Sequence, residues 1–466
     1  MSNNKTQDLT VGSPMKLILS FMLPLTFGLL FQQFYSMVDT LVVGKTLGVD
    51  ALAGVGSTGS INFLVLGLCN GICAGFAIPV AQKFGQKDMV GLRKIVGNMI
   101  WLGIAIAAIV TLITTALCRN ILTWMHTPED TFSYAYDYIW VIFLGIPATM
   151  LYNILSGILR SLGDSKTPLF FLIVSSLLNI FLDILFIVGF RMGVAGAGWA
   201  TLLSQLISGV ACLLYMLKRY PCLRLGKEEL RLRSKYVASL LTMGLPMGLQ
   251  YSITAIGSIM LQTAVNDLGS AAMAAMTTGS KVVLFCACVY DALGTTAATF
   301  AGQNWGAEKP ERVHKGVLCS TAIGVGYAAV ILGAMYLWGG DLAKLFLDPK
   351  DQAAADIIIP MSQQFVLTNL AFYVPLLFVN LLRFTIQGLG FSKLAVFAGI
   401  FEMVARGVFG LCLVPMLGFS AVCFASPAAW IMADLFLFPA YFYCMKKRGF
   451  VLRHKQEALA IPCTNA

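Results

Sequence analysis

About twelve apolar runs of roughly 20 residues or more follow one another along the chain, and each is long enough to cross a bilayer as a helix. Their approximate limits are 15–43, 51–80, 92–117, 136–159, 167–190, 194–217, 237–265, 272–302, 316–339, 359–386, 394–416 and 420–445. Lipid offers the backbone no partners, so only helices and closed barrels span it, and runs this long argue for helices. Composition agrees. Of 466 residues, 58% are hydrophobic and 12% charged, where a soluble domain carries about 25% charged residues. The expected fold is an all-α membrane protein.

The net charge of +10 raises the question of nucleic acid, and its distribution answers it. With the N-terminus inside, the even-numbered connections and both tails carry 25 of the 32 Lys and Arg residues. In this count Arg383 belongs to the turn between the tenth and eleventh spans. The outer side holds Lys45, Arg119, Arg191, Lys344 and Lys350, while Lys281 and Arg406 fall inside spans. Such a bias sets orientation in a membrane. No nucleic-acid partner is expected; both termini are expected in the cytoplasm. The twelve cysteines are scattered, mostly within spans, and read as small packing residues, neither disulfides nor metal ligands.

The chain repeats itself. Gly48 and Gly269, Gln82 and Gln303, and Gly85 and Gly306 all stand 221 residues apart, and Pro24 and Pro246 stand 222 apart. "SLGDSKTP" from Ser161 returns as "GLGFSKLA" from Gly388, 227 residues on. Two halves of six spans enter the membrane with the same orientation, so a pseudo-twofold along the membrane normal is expected, as in some secondary transporters. The expected organisation is a tail (1–14), a first lobe (15–217), a polar linker (218–236), a second lobe (237–445) and a tail (446–466).

Ionisable residues inside spans carry the functional information, because a charge in hydrocarbon costs from roughly 3 to over 10 kcal/mol. The acids are Asp39, Asp137, Asp183, Asp291, Glu402 and Asp434. Asp39 and Asp183 fall at similar depth in the outer half of the bilayer. Tyr35 and Asn179 lie one turn before them, each on the same helical face as its aspartate. Two carboxylates held together away from water form a site for a proton or a sodium ion; the alternative for Asp39 is escape to the membrane surface. Asp137 reads as interfacial. Glu402 and Arg406, at i and i+4, form either an internal ion pair or part of a substrate cavity. Lys281 and Asp291 are ten residues apart, about 15 Å along one helix, too far to pair. With Asp434 they point to a polar cavity in the second half. Pro24 weakens the helix ladder of the first span and allows a bend. Gly67, Gly71 and Gly75 read as close helix packing.

The stretches "SMVDTLVVGKTLGVDALAGVG", "AQKFGQKD", "ILRSLGDSKTPLFF", "SSLLNIFLDILFIVGFRMGVAGAGWAT" and "FAGQNWGAEKPERV", in this order, resemble the multidrug and toxic compound extrusion (MATE) family over nearly the whole chain. The resemblance implies twelve helices in two six-helix lobes. It also implies antiport of organic cations or amphipathic compounds against protons or sodium, in a monomer without a cofactor in a bacterial cytoplasmic membrane. In the DNA-damage-inducible-type (DinF-like) branch the coupling aspartates fall on Asp39 and Asp183. Their companions fall on Asn179, Tyr35 and Thr201, and the bending proline on Pro24. Ser36 stands where the family usually has an asparagine.

Two other readings compete. A lipid-linked oligosaccharide flippase of the same superfamily would want a strongly cationic cavity, whereas Lys281 and Arg406 are outnumbered by acids. An enzyme is disfavoured: His126, His314 and His454 lie in connections or the tail, and no phosphate loop, metalloprotease or nucleophile-elbow motif appears. The expected orientation has a direct test. Alkaline phosphatase fused after Lys447 should be inactive in cells, and fused after Arg191 it should be active.

Overall fold

The computed structural model describes residues 6–125, 127–344 and 352–460; His126, Lys350 and the ends of both tails lie outside them. Among the described residues every regular element is a helix. In chain order the α-helices are α1 (Pro14–Leu47), α2 (Val49–Ser57), α3 (Gly59–Gly85), α4 (Met89–Ala116), α5 (Cys118–Trp124) and α6 (Glu129–Leu144). Next come α7 (Ile146–Ser161), α8 (Lys166–Asp183), α9 (Val194–Arg219), α10 (Ser234–Asn266), α11 (Ser270–Gly306) and α12 (Pro310–Lys344). The last are α13 (Gln352–Ala371), α14 (Tyr373–Gly388), α15 (Ser392–Val408), α16 (Val414–Leu417) and α17 (Phe419–Ala460).

Nine stretches of described helix are long and apolar enough to cross a membrane singly, and two bent pairs bring the number to eleven. The pairs are α6 with α7, bent by 45°, and α13 with α14, bent by 52°. These eleven match eleven of the sequence runs. The twelfth run, 237–265, lies on α10, whose 33 residues would reach about 50 Å but are less apolar than the others. α1 runs on as one helix through Pro24, and α10 does the same through Pro246. α17 continues past residue 445 as far as Ala460.

The duplication is written into the backbone. Gly48, Lys87, Gly163 and Gly193 have positive φ, and so do Gly269, Glu308, Gly390 and Gly418, their counterparts 221 to 227 residues later. Gly48 and Gly269 cap α2 and α11 at φ +90° and +95°, a conformation that glycine reaches without a Cβ penalty. Two π-helical segments also recur, Ile184–Gly189 and Phe409–Leu413.

Contacts divide the chain into two units. One comprises the chain up to Gln7, Ser20–Val80 and Asp88–Ile259; the other comprises Asp8–Leu19, Ala81–Lys87 and Met260 onward. In the first unit the glycine stripe of α3 meets α10 backbone to backbone. A Cβ on Gly71 would lie 2.6 Å from Met247 O, and one on Gly75 would lie 2.6 Å from Gly244 Cα. Lipid gives helices no hydrophobic reason to associate, so such close approach supplies dispersion contacts instead. Asp164 of "SLGDSKTP" accepts from the N–H groups of Lys166 (3.0 Å) and Thr167 (2.9 Å) and from the Tyr220 hydroxyl, tying the start of α8 to the end of α9.

In the second unit the "GQN" stretch holds the chain before α1. Leu9 N donates to Gln303 Oε1 at 2.9 Å, and Arg312 donates to the carbonyls of Gly12 (2.8 Å) and Leu9 (3.1 Å). A Cβ on Gly85 would run into Gln303 O and one on Gly306 into Gln82 O, so these repeat-related residues pack reciprocally.

Replacing Gly75 by Leu should force α3 and α10 apart. Overpacking of this kind costs about 1–3 kcal/mol. A lowered thermal unfolding midpoint in detergent is expected, and Gly56→Leu, where a Cβ meets nothing within 4 Å, should leave it nearly unchanged.

Candidate functional site

In the first unit α1 carries Tyr35 and Asp39, and α8 carries Asn179 and ends at Asp183. The π-helix begins at the next residue, Ile184; such wide turns recur beside functional groups. Asp183 is fully buried and Asn179 nearly so, at 0% and 2% exposure. Asn179 Nδ2 donates to Thr201 Oγ1 on α9 at 3.3 Å. The carboxyl groups of Asp39 and Asp183 face one another within side-chain hydrogen-bonding reach. Two carboxylates can share such a bond only with a proton between them. Oδ1 of Asp39 is buried and accepts no hydrogen bond from a protein donor among the described residues. The arrangement suits a small hard cation: two carboxylates, an amide and hydroxyls, all oxygen donors.

Tyr35 lies within electrostatic reach of both aspartates, and so does a second phenol, Tyr138 of α6. Sequence reasoning passed over Tyr138, which reads as an ordinary aromatic of a span. The signal was in the repeat. Tyr138 packs in a core with Val43, Ala51, Val194 and Ala197, and the second unit has the equivalent core of Phe365, Val265, Ala272, Phe419 and Val422. There a phenylalanine replaces the tyrosine. At the offset of the Pro24–Pro246 pair, Asp39 corresponds to Leu261, which is 3% exposed in that apolar core. The two units keep one packing scheme, and only the first gives it carboxylates.

The second unit builds a different polar cluster. Arg383 of α14 donates through Nη1 to Glu402 Oε1 of α15 at 2.8 Å and through Nη2 to Asn380 Oδ1 at 3.2 Å. Arg406 Nη2 lies 3.4 Å from Glu402 Oε2. Asp434 of α17 is within electrostatic reach of Glu402 and Arg383, and Asp291 of α11 is within reach of Arg383. Arg383, counted above with a connection, thus belongs inside the bundle on α14; two hydrogen-bond acceptors, Glu402 and Asn380, and two nearby carboxyl groups, Asp434 and Asp291, gather it there. The Glu402–Arg406 contact agrees with the ion-pair reading. Lys281 is exposed on α11, and Asp137 is exposed on α6.

A family model described as MatE matches residues 24–185 and 246–412. The chain belongs to the MatE family. The two matched segments of this MatE protein fall one in each repeat, the first containing Asp39 and Asp183 and the second containing Arg383 and Glu402. It is 28% identical over 338 residues to the probable multidrug resistance protein YoeA of Bacillus subtilis (strain 168), covering 71% of this chain and 73% of that one. It is 29% identical over 380 residues to the probable multidrug resistance protein YpnP of the same organism, covering 81% and 82%. Among solved structures it resembles a crystal structure of MATE in complex with MaL6, with a TM-score of 0.88 at 20% identity over 97% of this chain and 100% of that one. The MatE protein is accordingly a multi-pass, all-α membrane protein.

Removing one member of the Glu402 cluster should destabilise the MatE fold strongly. Glu402→Gln leaves two guanidinium groups short of a counter-charge, a loss of about 3–5 kcal/mol for a buried pair. Thermal unfolding of the purified variant in detergent should show a large drop, whereas Tyr138→Phe, which copies Phe365, should unfold near the parent temperature.

Proposed function

We propose that this MatE protein exports organic cations and other amphipathic compounds in exchange for protons or sodium ions, as a monomer of the DinF-like branch. Its place in this reading is a bacterial cytoplasmic membrane with both termini in the cytoplasm. The carrying observation is that half-buried Asp39 meets fully buried Asp183, framed by Tyr35, Asn179, Thr201 and Tyr138. Intramembrane carboxylates are costly and mark ion pathways. The names of YoeA and YpnP as probable multidrug resistance proteins support the same reading.

In this mechanism a cation entering from outside settles between the two carboxyl groups and removes their repulsion. The site then no longer favours a cationic compound, which leaves outward. Exchange draws on about 2.3 kcal/mol per charge for each 100 mV of membrane potential. α1 carries Asp39 and lacks one ladder hydrogen bond at Pro24, so in this mechanism it bends there when the cation binds. In the second unit Asp291 and Asp434 supply negative charge toward the substrate, while Arg383 and Arg406 share Glu402. Glu402, Asp434 and Asp291 all lie within electrostatic reach of Arg383, which speaks against the pyrophosphate-binding cavity of an oligosaccharide flippase.

The test is ethidium efflux from proteoliposomes under an imposed pH gradient and, separately, a sodium gradient. Asp39→Asn and Asp183→Asn should each lose nearly all of the efflux that one gradient drives in the parent protein, and the gradient names the ion. Full efflux in both variants would sink the proposal. Tyr138→Phe, folded normally, should retain binding but change the ion dependence.

A further inference from the structure

The linker between the repeats is a built surface. Asn98 of α4, fully buried, donates through Nδ2 to Arg231 O at 3.3 Å and accepts at Oδ1 from Arg233 N at 2.8 Å. Trp101 Nε1 donates to Leu230 O at 3.0 Å. Gly97 lets the strap lie against the helix, since a Cβ there would run into Glu229 O. All of these groups belong to the first unit. A polar connection of this length has no intrinsic reason to adhere to a membrane helix, yet Asn98 and Trp101 of α4 hold its backbone in place and Gly97 makes room for it.

The side chains that this strap displays form a pattern. Its two acids are engaged within the unit: Glu229 pairs with Arg93 at 3.6 Å and Glu228 with Arg233 at 3.1 Å. Lys218, Arg219, Arg224, Lys227, Arg231 and Lys235 are all exposed. None of these six is in an ion pair among the described residues. Between them stand exposed apolar side chains, Leu230 at 37% and Leu232 at 60%, beside Trp101 at 47%. Tryptophan favours the headgroup level of a bilayer, and a cluster of four to eight cations beside a membrane helix attracts anionic lipid. Leucines that face outward among those cations can enter the acyl boundary below the headgroups.

We propose that the strap, Arg224 to Lys235, is a binding site for anionic phospholipid headgroups of the leaflet it faces. The cations meet lipid phosphates, Leu230 and Leu232 insert beneath them, and the Asn98 and Trp101 bonds hold the strap at headgroup depth. Topology alone needs the charges but not their fixation on α4. The proposal does not depend on the transported compound or on the coupling ion.

Native mass spectrometry of the purified full chain tests it without a transport assay. The protein is titrated with phosphatidylglycerol or phosphatidylcholine in detergent. The expected result is tighter retention of phosphatidylglycerol, by roughly tenfold or more at about fivefold per engaged cation, declining as salt rises. Arg224→Gln/Lys227→Gln/Arg231→Gln/Lys235→Gln should abolish that preference, and Leu232→Ser should weaken retention of both lipids while keeping it. Millimolar inorganic phosphate should leave the preference intact. Equal retention of the two lipids by the parent protein would overturn the proposal, whether or not the variant folds. So would an undiminished preference in the variant, or its loss to inorganic phosphate, which would assign the cations to a soluble anion.

Discussion

Hydrocarbon offers the peptide backbone no hydrogen-bond partner, so each segment of this chain must satisfy its N–H and C=O groups within itself. Helices result, and a second difficulty follows: in lipid, apolar side chains do not drive those helices together. The chain answers with contact too close for a Cβ. Gly71 and Gly75 of α3 meet α10 in the first unit, while Gly85 and Gly306 meet the carbonyls of Gln303 and Gln82 in the second. The polar residues of the recurrent motifs serve the same end. Asp164 ties α8 to α9, and Gln303, Asn304 and Arg312 hold the segment before α1. Much of what makes the sequence recognisable is therefore assembly hardware for helix ends.

Against this duplicated frame the chemistry is asymmetric. The two cores correspond position for position in the repeat: Val43 is equivalent to Val265, Ala51 to Ala272 and Tyr138 to Phe365. Asp39 meets its counterpart in Leu261, an apolar residue in the second core. The second unit has its own charges, but they are arranged as donors around Glu402, an order that holds α14 to α15. Two carboxylates brought together and a carboxylate between two guanidinium groups are different solutions to placing charge inside a bundle.

The contrast explains which site residues were legible beforehand. Asp39, Asp183, Asn179 and Tyr35 announce themselves because a polar residue in an apolar run is conspicuous and i, i+4 spacing shows its helical face. Tyr138 does not, since an aromatic in a span is unremarkable until a neighbouring helix is seen to bring it beside carboxylates. Arg383 failed for a related reason. It lies near the end of an apolar run, where a cation normally escapes to water; Glu402, nineteen residues away in sequence, keeps it inside.

Sequence alone determined the helical class, the number of spans to within one, the duplication and the aspartate pair as candidates. These are properties of composition, period and spacing, which local physics converts directly into structure. Tertiary structure decided the rest: that the two carboxyl groups face each other, that Tyr138 joins them, that Arg383 lies inside the bundle, and that the linker is bound along α4. Each of these depends on which faces of distant helices meet. In a chain where nearly every face is apolar, hydrophobicity does not choose among those meetings; the shapes of glycine surfaces and a few buried hydrogen bonds do.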